Sequence, residues 1–160
     1  MPPQDPARSV EELLHRVESL YAMPFPEREE RAGDGWAGPG HHVAVLAESR
    51  DFWEDRSTEL VEEAEEAVEA GLAALATLLT ERWGPADVVD LRPWCDTGDG
   101  PEGAGPVPEP IGILCALAAD MRVWRPRGSG RWAALAVGQA DPEWPLQLLA
   151  AIGENPALPE

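Results

Sequence analysis

The feature that most constrains this chain is the run over 51–83, where Leu60, Ala64, Ala67, Val68, Leu72, Leu75 and Leu79 recur every three or four residues before Arg82, Trp83 and Gly84-Pro85. Apolar residues at that spacing line one face of an α-helix, and Gly followed by Pro stops it. So long a stripe has to be covered, which makes this helix the organiser of the core. A shorter helix precedes it. Ser9 and Glu12 have the S-x-x-E form of a capping box, Val10, Leu13, Leu14, Val17 and Leu20 form a stripe, and Pro24 and Pro26 end the pattern.

After the Gly-Pro stop the spacing changes. Residues 87–94 are rich in β-formers and read as a strand, and the compact apolar run over 111–119 reads as a buried one. Residues 121–125 and 131–139 flank Pro126-Arg127-Gly128-Ser129-Gly130, a five-residue hairpin connection. Asp141-Pro142 has the form of a cap and first helical position, opening a short C-terminal helix through Leu146, Leu149, Ala150 and Ile152 that stops at Gly153. Charge, Gly and Pro dominate 27–40 and 97–110, which are expected as loops, while 41–47 is compatible with a strand or the lead into a helix. The expectation is one domain over 1–160 of the α+β class. Its long central helix packs on an antiparallel sheet that contains the C-terminal hairpin, and a short C-terminal helix follows.

Asp and Glu number 30 against 12 basic residues, all of them arginine, for a net charge of −18. A field of that sign repels nucleic acid and anionic membrane and draws in basic partners. No apolar run is long enough to span a bilayer, and residues 1–6 lack the basic and apolar regions of a signal peptide, so a cytoplasmic protein is expected. Cys95 and Cys115 stand in no CxxC or CxxH spacing and are expected as thiols outside any disulfide.

Two clusters stand out as candidate sites. On the long helix, Glu59, Glu62, Glu63, Glu65, Glu66 and Glu69 crowd one another a turn apart, although like charges at that spacing destabilise a helix. The plain explanation is a solvated face; the functional one is a surface, centred on Glu62, Glu66 and Glu69, that docks on a basic partner. In the hairpin, Arg122, Arg125, Arg127 and Arg131 gather in a segment without acids, and Trp124 and Trp132 lie equidistant from Gly128. A symmetric register would set Trp124 opposite Trp132 and Arg125 opposite Arg131, giving a Trp and Arg interaction surface. The alternative places both tryptophans in the core and pairs the arginines with the protein's own carboxylates.

His15, His41 and His42 read as ordinary surface or loop histidines, since neighbours in a strand point apart and cannot share a metal. Ser129 is a turn serine, because Arg127 and Arg131 stand where a Gly-x-Ser-x-Gly elbow needs glycine. Glu62-Glu63-Ala64-Glu65-Glu66 matches an EExxE pattern and resembles the Mg-binding helix of the all-helical nucleotide pyrophosphohydrolases. That resemblance implies Glu62, Glu63 and Glu66 as metal ligands and a second acidic pair on a following helix, where this chain has Asp87 and Asp90 in an expected strand. The C-terminal stretch, Val123 to Pro126 and Val137 to Leu149, taken with the acidic helix, resembles small acidic proteins of high-GC actinobacteria with no assigned activity, and implies no mechanism.

The function expected from these features is a non-enzymatic protein-binding module, such as an adaptor, a chaperone or an immunity-like protein for a basic partner, working without a cofactor. Two alternatives belong to other classes: a metal-dependent nucleotide hydrolase using the EExxE helix, and a small-molecule sensor with a Trp-lined pocket between sheet and helix. The sequence leaves the oligomeric state undecided.

Overall fold

Seven strands form one antiparallel sheet in a computed structural model that describes residues 10–32, 35–49, 51–91, 111–126, 128, 130–141 and 143–154. In chain order the elements are α1 (Val10–Ala22), β1 (Glu30–Ala32), β2 (Gly35–Gly38), β3 (His41–Glu48), α2 (Thr58–Trp83), β4 (Asp87–Asp90), α3 (Ile111–Leu117), β5 (Asp120–Trp124), β6 (Arg131–Gly138) and β7 (Gln147–Glu154). The sheet order is β1-β2-β3-β7-β6-β5-β4, so two antiparallel meanders meet where β3 pairs with β7. The α+β class and the long helix stand as expected. Among the described residues, no helix is long and apolar enough to cross a membrane.

Helices α1 and α2 cover one face of the sheet. Leu72, Leu75, Ala76 and Leu79 of α2 and Leu13 and Val17 of α1 pack with Leu46, Trp124, Leu135, Leu148 and Ala150. On the opposite face Ile111 and Leu114 of α3 pack with Val43, Met121, Val123, Trp132, Ala134, Leu149 and Ala151. A bulge at Val45–Ala47 turns both Leu46 and Ala47 toward the α1–α2 side, which keeps the apolar residues of β3 inward on both sides of the irregularity. Leu75 has no exposed surface. Leu75→Ala should therefore lower stability by about 2–5 kcal/mol, read as a shift in denaturation midpoint with an unchanged slope. An unmoved midpoint would mean that α2 presents another face to the sheet.

Several expectations require correction. The long helix begins at Thr58 and not near residue 51, because Phe52 leaves the stripe to enter the core from a loop and Ser57 takes an extended cap conformation. Residues 27–40 are not all loop, since β1 and β2 lie within them; strands of three and four residues carry too little alternation to be seen, and β3 supplies the pairing that holds them. The uncertain segment 41–47 is part of β3.

The run at 111–119 is a helix, in which Ile111, Leu114 and Ala118 are buried at helical spacing; short apolar runs fit either period. The expected C-terminal helix is β7, whose uninterrupted Leu148-Leu149-Ala150-Ala151-Ile152 is buried on both faces between β3 and β6. Finally, the hairpin exists but its register is one residue away from the symmetric one. Trp124 lies opposite Ala133 and Arg122 opposite Leu135, so Trp124 and Trp132 point to opposite faces of the sheet. Ser9, Cys95, Arg127, Ser129, Pro142 and the expected loop at 97–110 lie outside the described residues.

Candidate functional site

Both tryptophans of the expected hairpin surface are core residues, each with no exposed area. Trp124 sits under α2 and donates its indole N–H to the Thr80 hydroxyl at 3.2 Å, and Trp132 donates to the Glu154 carbonyl at 2.9 Å. Arg125 pairs with Asp87 of the neighbouring edge strand at 2.6 Å. Arg122 is exposed on β5. These four side chains do not converge.

Arg131 has a different task. Helix α1 has no basic residue in its last turn, and Arg131 reaches over from β6 to donate to the carbonyls of Tyr21 at 2.7 Å and Met23 at 2.8 Å, its guanidinium 4.0 Å from the Phe25 ring centroid. It thereby supplies the donors and the positive charge that a helix C-terminus lacks. His42 completes the cluster, stacking on Phe25 at 5.1 Å with its Nε2 placed 3.2 Å from the Met23 carbonyl.

Burial holds the pKa of His42 below its ordinary 6.5, with the positive charges of Arg131 and His41 acting in the same direction and the carbonyls of Met23 and Pro24 opposing. The unfolded chain then binds the proton more tightly than the folded one. The His42 contribution is complete above pH 6.5 and is lost as the pH falls through the lowered folded value. Denaturation midpoints measured between about pH 8 and pH 5 should show this decline in the wild type and a flatter profile in His42→Gln.

The acidic residues of α2 are where the sequence placed them. Glu59, Glu62, Glu63, Glu65, Glu66 and Glu69 are all exposed, opposite the stripe of Ala64, Val68 and Leu72 that meets the sheet. The pyrophosphohydrolase comparison is not supported by the surroundings, for the fold is not all-helical and Asp87 and Asp90 stand on the edge strand β4, Asp87 engaged by Arg125. Among the described residues no three His, Cys, Asp or Glu side chains come together as a metal site. Cys115 is half-buried on α3 with its thiol 3.5 Å from the Gly112 carbonyl, and His15 is exposed on α1.

A surface that the sequence did not single out lies beside the start of α2. Trp53 is 59% and Trp144 48% exposed, and their rings meet edge to face with centroids 5.8 Å apart. Two large indoles left in water together are unusual in a chain that buries Trp124 and Trp132 completely. The loops that carry them are tied down. Phe52 N–H donates to the Glu143 carbonyl at 2.8 Å, Ser49 N–H to the Leu146 carbonyl at 2.8 Å, and Leu146 N–H to the Ser49 hydroxyl at 2.9 Å. Arg56 pairs with Glu143 at 3.2 Å, and the Gln139 amide donates to the Trp144 carbonyl at 2.8 Å. Phe52 and Leu146 are buried beneath. Exposed Asp51, Glu54, Asp55 and Asp141 flank the rings along the chain, and the Glu face of α2 begins a few residues beyond.

The sequence held a weak signal for this pair. Both indoles stand in acid-rich stretches, Asp51-Phe-Trp-Glu-Asp55 and Asp141-Pro-Glu-Trp144, outside any apolar stripe, but only the fold brings the two stretches together. Compared with protein-family models, with curated proteins and with solved structures, the chain finds no significant match.

Proposed function

We propose that the chain is a non-enzymatic binding module that docks a basic protein segment on the Trp53–Trp144 pair and the adjoining acidic face of α2. The observation that carries this reading is the pair itself: two exposed indoles in mutual contact, on loops pinned to the core, flanked by carboxylates. Trp is among the residues that dominate binding energetics, because it offers a large rigid surface with few rotors to freeze. Pinned loops lower the ordering cost further. Indole faces also attract cations, so a lysine or arginine from the partner gains from the rings as well as from the carboxylates around them.

The net charge of −18 supports a basic partner over an acidic one and over nucleic acid or anionic lipid. The working setting in this reading is the cytoplasm. An immobilised arginine-rich peptide with one aromatic anchor provides a first test. Replacing Glu62, Glu66 and Glu69 with Gln should slow association several-fold at low salt and converge on wild type as salt rises past about 0.1 M, where the Debye length shrinks to about 10 Å. Association that ignores both the substitutions and the salt would count against the acidic face as a docking surface.

A further inference from the structure

One end of the sheet leaves an open edge. Among the described residues nothing pairs on the outer side of β4, which meets β5 alone, with Val88 opposite Arg122, Val89 opposite Met121 and Asp90 opposite Asp120. Val88 is 71% exposed, more than Trp53 or Trp144. The other edge strand, β1, is different in kind, since its Glu30-Arg31-Ala32 carries both signs of charge and no large aliphatic residue.

The phase of the ladder decides what the β4 edge offers. Leu91 N–H, just past β4, donates to the Ala119 carbonyl at 2.8 Å. The register is unbroken, and in an antiparallel pair successive residues alternate in direction. Asp87 and Val89 therefore turn their N–H and C=O toward β5, while Val88 turns its own outward. Val88 presents a donor and an acceptor on the open side, neither with a partner among the described residues, and an exposed isopropyl group beside them. An edge of that kind is a template for strand pairing. Carboxylates bracket it. The Asp87 side chain stays 64% exposed although Arg125 pairs with it, and the exposed Asp90 and Asp120 stand opposite one another across the two strands, where like charges repel.

We infer that β4 is a docking edge that takes an extended segment of a partner protein as an added antiparallel strand, and that the segment reads basic, apolar, apolar, basic. The edge itself sets this pattern: Asp87-Val88-Val89-Asp90 is matched residue for residue by a basic side chain beside each aspartate and an aliphatic one beside each valine. Backbone bonds at Val88 hold the segment, and the charges on either side of the valines select it. The net charge of −18 acts against a second copy of this chain at the same edge, since two such copies repel.

Calorimetric titration of the full chain with a capped peptide that carries Arg-Val-Val-Arg between threonines tests this, and the peptide should bind at one site per chain. In antiparallel pairing its second valine lies opposite Val88 and exchanges both bonds with it, whereas its first valine turns its N–H away. Methylating the amide nitrogen of the second valine should weaken binding by about tenfold or more, and methylating the first by much less, although the two peptides share charge and composition. Val88→Pro removes only an outward N–H that no ladder bond uses, so the protein should stay folded and bind the peptide about tenfold or more weakly. If circular dichroism shows that variant unfolded, Val88→Lys takes its place and should also weaken binding, because a like charge on the edge turns a basic strand away. The inference is overturned if the peptide does not bind at millimolar concentration, if methylating the first valine costs as much as methylating the second, or if a folded edge variant binds like wild type. Sedimentation that finds wild type dimeric and Val88→Pro monomeric would give the edge to a second copy and overturn it as well.

Discussion

Alanine in place of Trp132 should cost about 3–5 kcal/mol of stability, at the upper end for any single truncation in this fold. The ring has no exposed surface, faces the α3 side of the sheet and donates its N–H to the Glu154 carbonyl at 2.9 Å. It lies flat over Gly153 on β7, where a Cβ would stand 2.4 Å from its Cζ2, so the strand has been left bare to receive it. Removing the indole leaves a cavity and strips the Glu154 carbonyl of its partner, two costs that add. Gly153→Ala should also destabilise, this time by overpacking. Urea midpoints of both variants check the account. A Trp132→Ala protein as stable as wild type would mean that the ring is not packed here and would return the hairpin to the list of interaction surfaces.

How much of this was legible in the sequence differs element by element, for physical reasons. The stripe of α2 is long enough that Val68, Leu72, Leu75 and Leu79 could belong only to a buried helix face, and all four are buried. β7 does not declare itself as a strand, because Leu146, Leu149 and Ile152 sit at helical spacing inside a run that is apolar throughout, and a run of that kind carries no period of its own. Its strand character comes from β3 and β6 on either side, which is information held elsewhere in the chain. The hairpin was found, but a slip of one residue in register sends alternate side chains to the other face, and with it the surface expected of Trp124 and Trp132 disappeared into two separate cores.

The candidate site was half visible. Charge is local, so the acidic face of α2 could be read from Glu62, Glu63, Glu66 and Glu69 directly. The apolar partner of that face could not, because Trp53 and Trp144 become a pair only when the loop before α2 is bonded to the loop before β7 through Phe52 and Glu143. Arg131 shows the same limit from the other side. It looked like a binding arginine and is instead the cap of a helix more than a hundred residues away in sequence, as its bond to Tyr21 shows.

The central claim is that the exposed tryptophans hold the partner while the acidic helix attracts it. Dissociation of the arginine-rich peptide from Trp53→Ala, Trp144→Ala and the doubly substituted protein, compared with wild type at two salt concentrations, tests it most directly. Buried anchors act mainly on the dissociation rate, and truncating a hot-spot tryptophan typically removes about 2 kcal/mol or more, some thirtyfold in affinity. Each variant should stay folded with a denaturation midpoint close to that of wild type, since Trp53 is 59% and Trp144 48% exposed. Each should dissociate about tenfold to thirtyfold faster at either salt concentration, and the double substitution should cost less than the product of the two, because the rings touch. Folded variants that release the peptide at the wild-type rate would contradict the account and leave the pair as surface without a role in binding.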